Sequence, residues 1–373
     1  MKRFFAYTLF LTLIVVQIHA LSMPTFWTQL VGLDLGTRNS IVVLNAEGKV
    51  QLVSNHPSAV CYYRDTGNLI CYGQCALEKI GKCPEEIVAV RPLQNGVIYS
   101  LKSTHALIEA MLKDAQVSTG ALTSMKMVIG IPCGVNAGDC VAIEKCAHAL
   151  GAQDVLLVKE PIAAAIEAGL DIGGDRVSMV IDIGGGTTDI IAVAQYGTLA
   201  QSAITIAGDA MDKAILDYVR AQFKLSVDEE TAQYVKCKIG AVYLDEADDS
   251  EDKNLKLEIA GMDMLQQIPR KISISTRDIV TALQQCTEQI LDATHAVMRK
   301  LPQRASGDVA NNGILLVGGG ALIPGMKERL EQRFGVPVTI PNEPLVSVAR
   351  GIGKILGDFD TYRRVLSDAS DDF

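Results

Sequence analysis

One pattern occurs twice in the chain and limits its fold more than any other feature. Residues 179–193 read as an apolar run, Asp182, one apolar residue, Gly184-Gly185-Gly186, Thr187, Thr188 and a second apolar run. An apolar strand, a tip without bulky side chains and another apolar strand make a hairpin. Residues 30–44 repeat the order: Val31-Gly32-Leu33, Asp34, Leu35, the tip Gly36-Thr37-Arg38-Asn39, then Ser40-Ile41-Val42-Val43. A single glycine run is explained equally well by a bland hairpin. Two copies form an internal repeat, which predicts two related domains facing one ligand.

The repeat has a chemistry. Glycines allow backbone N–H groups to approach an anion, and a carboxylate at the end of the incoming strand can hold a metal ion through water. Asp34 and Asp182 occupy that place. A third glycine element, Gly318-Gly319-Gly320-Ala321, ends the apolar run 314–317 and precedes helical spacing over 323–334. Strand, glycine turn and helix N-terminus form a further nucleotide-binding pattern.

This combination resembles the actin-like ATPase superfamily of actins, sugar kinases and heat-shock chaperones, and within it the MreB bacterial actins. The segments that carry the similarity, in order, are Leu33-Asp34-Leu35-Gly36-Thr37, Ile87-Val88-Ala89-Val90-Arg91-Pro92, Gly96-Val97-Ile98, Val128-Ile129-Gly130-Ile131-Pro132, Glu160-Pro161-Ile162-Ala163-Ala164-Ala165, residues 182–188, Ala207-Gly208-Asp209-Ala210-Met211-Asp212 and Val348-Ala349-Arg350-Gly351. They span residues 30–356.

The resemblance implies an α/β actin-like fold: two related domains, each a mixed sheet flanked by helices with a smaller inserted subdomain, and the nucleotide in the cleft between them. It places domain I at 23–161 and 345–357 with an insertion at 49–91, and domain II at 162–344 with an insertion at 208–271. It implies ATP and Mg²⁺ as ligands. Gly36, Thr37, Arg38 and Asn39 with Gly184, Gly185, Gly186 and Thr187 would bind the β- and γ-phosphates, and Asp34 and Asp182 would hold Mg²⁺ through its waters. Glu160 would orient or deprotonate the attacking water, helped by Thr187. Gly318, Gly319, Gly320, Ala321 and Leu322 would line one side of the adenosine, with Gln233 and Lys236 on the other.

Three residues depart from the family pattern. Arg38 replaces a small residue, which leaves open whether it binds phosphate or points into solvent. Gln233 stands where glutamate is usual. Lys159 replaces an acidic neighbour of Glu160, and is expected to depress the Glu160 pKa.

The function this implies is a slow Mg-dependent ATPase that polymerises with itself into filaments on the inner membrane, meets membrane proteins of the cell-elongation machinery and organises cell-wall synthesis from the cytoplasmic side. Two alternatives without filaments are a chaperone-like ATPase, which needs a further substrate-binding domain, and a metabolite kinase, which needs a sugar pocket. A net charge of −9 and the lack of a basic stripe argue against nucleic acid as a partner.

The nine cysteines show no metal-ligand spacing. Cys71 and Cys75, with Cys61 and Cys83 nearby, lack a Cys-x-x-Cys pair and an adjacent histidine, so all nine read as reduced thiols. Lys2 and Arg3 before the apolar run 4–16 look like a signal segment. Free thiols and a need for ATP oppose export, which leaves residues 1–22 as an uncleaved membrane attachment or as untranslated sequence before Met23. The loop that enters the bilayer in some MreB proteins has only Leu122 and Met125 here, and residues 358–373 read as an acidic, disordered tail.

Overall fold

The structure, a computed structural model, describes residues 29–46, 49–119, 124–244 and 254–367. The signal-like segment, Met23, the Ala121-Leu122 tip, the acidic stretch 245–253 and residues 368–373 lie outside the described residues.

In the first half, strands β1 (Gln29–Leu35), β2 (Asn39–Ala46) and β3 (Lys49–Pro57) form an antiparallel meander. A small sheet follows, made of β4 (Val60–Tyr63), β5 (Leu69–Tyr72) and β6 (Ile87–Val90), with the short helix α1 (Gln74–Leu77) packed on it. Helix α2 (Leu101–Asp114), strand β7 (Met125–Ile131), helix α3 (Ala137–Ala149), strand β8 (Ala152–Lys159) and helix α4 (Glu160–Glu167) complete this half. Its main sheet runs β8-β7-β1-β2-β3, with β1, β7 and β8 parallel. The inserted subdomain therefore begins after Pro57, not at residue 49. Lys49–Pro57 pairs with β2 as an exposed edge strand, and its half-polar surface made it look like part of the insertion.

The second half repeats the plan. Strands β9 (Ser178–Ile183), β10 (Thr188–Ala194) and β11 (Gly197–Ile204) form the meander. Its insertion consists of α5 (Gly208–Phe223), β12 (Leu225–Ser226), α6 (Glu229–Ile239), β13 (Lys256–Asp263) and β14 (Pro269–Ser275). Helices α7 (Thr276–Met298) and α8 (Gln303–Asn312), strand β15 (Ile314–Val317), helix α9 (Met326–Phe334) and strand β16 (Val338–Thr339) follow. The sheet order β11-β10-β9-β15-β16 mirrors the first sheet strand for strand, including the parallel pairs. Strands β9 and β10 are buried at every residue, as continuous apolar runs covered on both faces must be.

Helix α10 (Ser347–Gly357) returns to the first half and crosses α4 between the two sheets. Val158, Ile162, Ile191, Val317, Ile352 and Ile355 form the shared core at this crossing. A Cβ on Gly351 would stand 1.8 Å from the Ala163 carbonyl oxygen, so glycine is what lets the two helices touch.

The tail departs from expectation. Phe359–Tyr362 is a helical turn, α11, and Ser367 exchanges backbone hydrogen bonds with Leu157, which continues the first sheet by one residue. Leu366 is buried against the shared core, and that burial offsets the ordering cost the acidic composition suggested would not be met. Met125 begins β7 fully buried, so it is unavailable to a bilayer. No helix among the described residues is long and apolar enough to cross a membrane.

Candidate nucleotide site

Register places the two hairpins in equivalent positions. In the first, Leu35 pairs with Ser40 and encloses the tip 36–39, and Asp34 pairs with Ile41. In the second, Ile183 pairs with Thr188 and encloses the tip 184–187, and Asp182 pairs with Asp189. Asp34 and Asp182 are each the last residue but one of the incoming strand, and both line a single cavity of about 400 Å³.

That cavity also takes in Gly36, Thr37, Arg38 and Asn39 from the first tip and Gly184 and Gly185 from the second. Glu160 enters as the first residue of α4, carried there by β8. Gly318, Gly319, Gly320 and Leu322 close one side, and Gln233 and Lys236 on α6 close the other. Three expected residues stay out of it. Gly186 is packed under Thr37 and Asn95, the Thr187 hydroxyl is bonded to Asp189, and Ala321 is turned into the domain II core.

The glycines are spatial requirements. A Cβ on Gly185 would stand 2.5 Å from the Arg38 side chain, and one on Gly186 2.5 Å from Thr37 Oγ1. Gly318 has φ +79, and a Cβ there would meet Asp182 Oδ1 at 2.3 Å. The second tip is tied to the start of α5: Gly208 N donates to the Gly184 carbonyl at 3.1 Å, and Asp209 N to that of Gly185 at 2.7 Å. The first tip is held by Ser58, whose Oγ donates to the Gly36 carbonyl at 2.6 Å and whose N donates to that of Arg38 at 2.8 Å.

The third glycine element differs from its expected form. A 3-10 turn over Gly319–Leu322 and then Pro324 and Gly325 separate the strand from α9, so no helix N-terminus faces the cavity at that point. Pro324 lacks an N–H and Gly325 has φ +88, which delays the helix to Met326. Leu322, Ile323, Pro324, Pro344 and Leu345 instead give this end of the cavity an apolar wall.

The opposite end is acidic. Burial pushes the Asp34 carboxyl up to about 7, and burial with the charges of Asp189 and Asp34 pushes Asp182 up to about 8. Glu160 is raised well above the usual range by burial first and then by Asp34, Asp189 and Asp182. Asp189 rises to about 6 through burial, held back by bonds from Cys133 N, at 2.6 Å, and Thr187. The reading of the sequence missed Asp189. Its signal was a carboxylate in a strand whose other residues, all buried, are apolar apart from the leading threonine.

Lys159 does not act as expected. Its Nζ donates to Gln201 Oε1 at 2.8 Å, and the Glu160 carboxyl is raised, not depressed. Among the described residues, no lysine or arginine figures among the groups that shift Asp34, Asp182 or Glu160. Asp182 and Asp189 are buried and Asp34 and Glu160 half-buried, and four carboxylates so placed cannot all ionise cheaply, so the set fits a divalent ion that arrives with its ligand. No group of three or more His, Cys, Asp or Glu side chains among the described residues is arranged to hold a metal ion directly.

Arg38 has a structural answer. Its guanidinium donates to Asp209 Oδ1, to Asp212 Oδ2 at 2.7 Å and to Gln233 Oε1 at 3.2 Å. Lys236 Nζ lies 2.7 Å from Asp212 Oδ1 and donates to the Gly208 carbonyl at 2.7 Å. The first hairpin is thereby latched to the insertion of the second domain. Arg38 and Gln233 both line the cavity, but Arg38 spends its donors on this latch. A larger space of about 1030 Å³ opens beside Arg38, but it contains none of Asp34, Glu160 or Asp182, so size does not identify the site.

Comparison with known proteins agrees with this fold. The MreB/Mbl protein family matches residues 28–364. The cell shape-determining protein Mbl of Bacillus subtilis (strain 168) is 33% identical over 330 residues, which is 88% of this chain and 96% of Mbl. The crystal structure of MreB5 of Spiroplasma citri bound to ADP superposes with a TM-score of 0.81 at 28% identity, covering 91% of this chain and 98% of MreB5. The same protein bound to AMPPNP gives 0.80 at 27%, covering 88% and 96%.

Proposed function

The chain belongs to the MreB/Mbl family and has the actin-like fold, and from that premise we propose that it binds ATP with Mg²⁺ in the 400 Å³ cavity, hydrolyses it slowly and assembles head to tail into filaments. The observation that carries this reading is the equivalence of Asp34 and Asp182 in facing hairpins, with Glu160 in the same cavity.

Backbone N–H groups of the tips 36–39 and 185–187 would meet the phosphates, the Gly184 N–H being bonded to the Thr187 carbonyl at 2.9 Å. The apolar wall of Leu322, Ile323 and Leu345 would take the base. Asp34 and Asp182 would hold the ion. Mg²⁺, when bound, neutralises charge on the phosphate oxygens. Glu160 would accept a proton from water in its charged form, which a divalent ion beside Asp34 and Asp182 would favour by offsetting the repulsion that raises it. Thr187, fixed to Asp189, would position from the wall of the site and not by direct contact. A single carboxylate base fits slow turnover, and slow turnover lets the nucleotide state outlast assembly.

Filaments of this kind form when a head-to-tail contact does not close into a ring. We place them in the cytoplasm on the inner membrane, where they would meet membrane proteins of the elongation machinery and organise cell-wall synthesis. Support for this comes from the family and from the cell shape-determining relative. Sedimentation across a concentration series with ATP and with ADP, alongside phosphate release, tests the reading. A threshold concentration with ATP is expected. A chain that stays monomeric with ATP and lipid at every concentration overturns the filament reading, and turnover that depends on a metabolite overturns the rest in favour of a kinase.

A further inference from the structure

Four cysteines separated in sequence converge in the small subdomain of β4, β5, β6 and α1. Cys61 on β4 and Cys71 on β5 are direct partners across the antiparallel pair. Cys75 lies in α1, immediately after β5, and Cys83 follows α1. Cys61 is buried in a small apolar cluster with Ala59 and Ala76, and Cys71 and Cys83 both pack against that cluster. Cys83 Sγ also donates to the Lys79 carbonyl at 3.2 Å. All four are free: Cys75 is exposed, Cys71 and Cys83 are half-buried, and Cys61 is fully buried. Cys71 and Cys83 thus pack about buried Cys61, and Cys75, on the helix that follows β5, is the exposed member of the group.

The group is not a metal cage: among the described residues no group of three or more candidate ligands is arranged for an ion. It is the arrangement that thiol–disulfide exchange needs. Directly opposed residues of antiparallel strands hold their Cβ atoms about 4.5–5.5 Å apart, and a disulfide asks for about 3.5–4.5 Å, so a small closure suffices. The place is consequential. Ser58, which holds the first phosphate tip, lies directly before this sheet, and Gly73 N donates to the neighbouring Ala59 carbonyl at 2.9 Å. Lys82 reaches Glu230 across the cleft at 3.6 Å.

We propose that Cys75, Cys71, Cys61 and Cys83 form a two-electron thiol–disulfide site that a low-molecular-weight disulfide oxidises through Cys75, with Cys71 as the resolving thiol. The Cys75 thiolate attacks one sulfur of the external disulfide and expels a thiolate, which takes up the proton lost by Cys75. The Cys71 sulfur then attacks Cys75 Sγ and releases the second external thiolate, which takes up the Cys71 proton. Two protein thiols are oxidised and one external disulfide is reduced to two thiols. Cys61 and then Cys83 can take the bond inward by the same exchange without net electron transfer.

Burial pushes the Cys71 thiol up to about 12 and raises that of Cys61, so neither is a good first nucleophile, which leaves entry to the exposed Cys75. The same burial denies the reduced pair any thiolate stabilisation, and this favours the disulfide once it has closed. The inference does not depend on the nucleotide reading.

The test uses the full chain, reduced, then equilibrated with glutathione disulfide and glutathione at a series of ratios, trapped with acid and mapped by mass spectrometry. One internal disulfide within the four cysteines is expected. Cys75→Ser should slow its formation about tenfold or more, since the remaining thiols are shielded. Cys71→Ser should accumulate a glutathione adduct on Cys75. Parent protein that collects only glutathione adducts, with no internal bond, overturns the proposal. So does a Cys75→Ser variant that oxidises as fast as the parent, or a purified chain that carries one zinc ion and resists oxidation.

Discussion

Arg38 and Asp212 meet across the cleft: Arg38 Nη2 lies 2.7 Å from Asp212 Oδ2, although one residue sits in the first hairpin and the other in the insertion of the second domain. Asp212 is almost fully buried, and burial raises its carboxyl even with Lys236 and Arg38 beside it. This contact ties the first hairpin tip to helix α5. Its consequence is a cleft bridged by protein atoms.

Replacing Arg38 with serine removes three donors from this bridge and leaves Asp212 with Lys236. Because one cation remains, the loss of stability should be about 1–3 kcal/mol, below that of a fully orphaned buried charge. The ligand-free protein should also open, which small-angle scattering would register as a larger radius of gyration than the parent's. Arg38→Lys should rescue little, since a point charge cannot reach Asp209, Asp212 and Gln233 together. An unchanged radius for Arg38→Ser would mean that the latch does not hold the halves together.

Gly351→Ala tests the crossing of α10 on α4. The added methyl would fall 1.8 Å from the Ala163 carbonyl oxygen, which is backbone and cannot rotate away. The helices must separate, at a cost of about 1–3 kcal/mol. Since Glu160 opens α4, phosphate release should fall as well. A urea midpoint equal to the parent's would show that the two helices accommodate the methyl.

Much of this architecture was legible because the repeat is written in residues that only one geometry explains. Asp34 and Asp182, each followed by one apolar residue and a glycine, come out in identical register. Asn136, Ser275 and Asp278 likewise act as the helix caps their residue types favour. What was not legible depended on partners distant in sequence. Arg38 has no local sign that its target is Asp212, and the edge strand Lys49–Pro57 is defined by pairing with β2 more than by its own pattern. The four clustered cysteines show no motif because strand register, not spacing, brings Cys61 to Cys71. The ordered tail failed for the same reason: Leu366 is buried by a core assembled from other segments.

Asp182→Asn should separate stability from ligand binding. The Asp182 carboxyl titrates near 8 in the folded chain and near the ordinary value just below 4 when unfolded, so between these values the folded state holds the extra proton. Stability from this group is therefore present at low pH and lost as pH rises toward 8. Asparagine carries no charge, so at pH 8 the ligand-free variant should be more stable than the parent by up to about 5 kcal/mol, and the difference should shrink toward zero near pH 4. Adding ATP with Mg²⁺ should stabilise the parent and leave the variant unmoved. Thermal melts at both pH values decide it, and a variant that gains as much from the ligand as the parent would remove Asp182 from the ion site.

Glu160→Gln isolates the chemical step. Glu160 shares the cavity with Asp34 and Asp182, but it comes from α4 and not from either hairpin, so replacing it leaves both glycine tips and both hairpin carboxylates in place. Nucleotide affinity should stay within a few-fold of the parent's, whereas phosphate release in a single turnover should fall by about 10²–10⁴, the usual contribution of a positioned proton acceptor. Glutamine keeps the shape and the hydrogen-bonding reach of the side chain, which excludes a packing explanation for the loss. If ATP holds the filament together, the variant should sediment with ATP as the parent does and fail to disassemble afterwards. Release at the parent's rate would transfer the proton-accepting role to another buried carboxylate, and Asp189, which faces Asp182 in register, is the next to test.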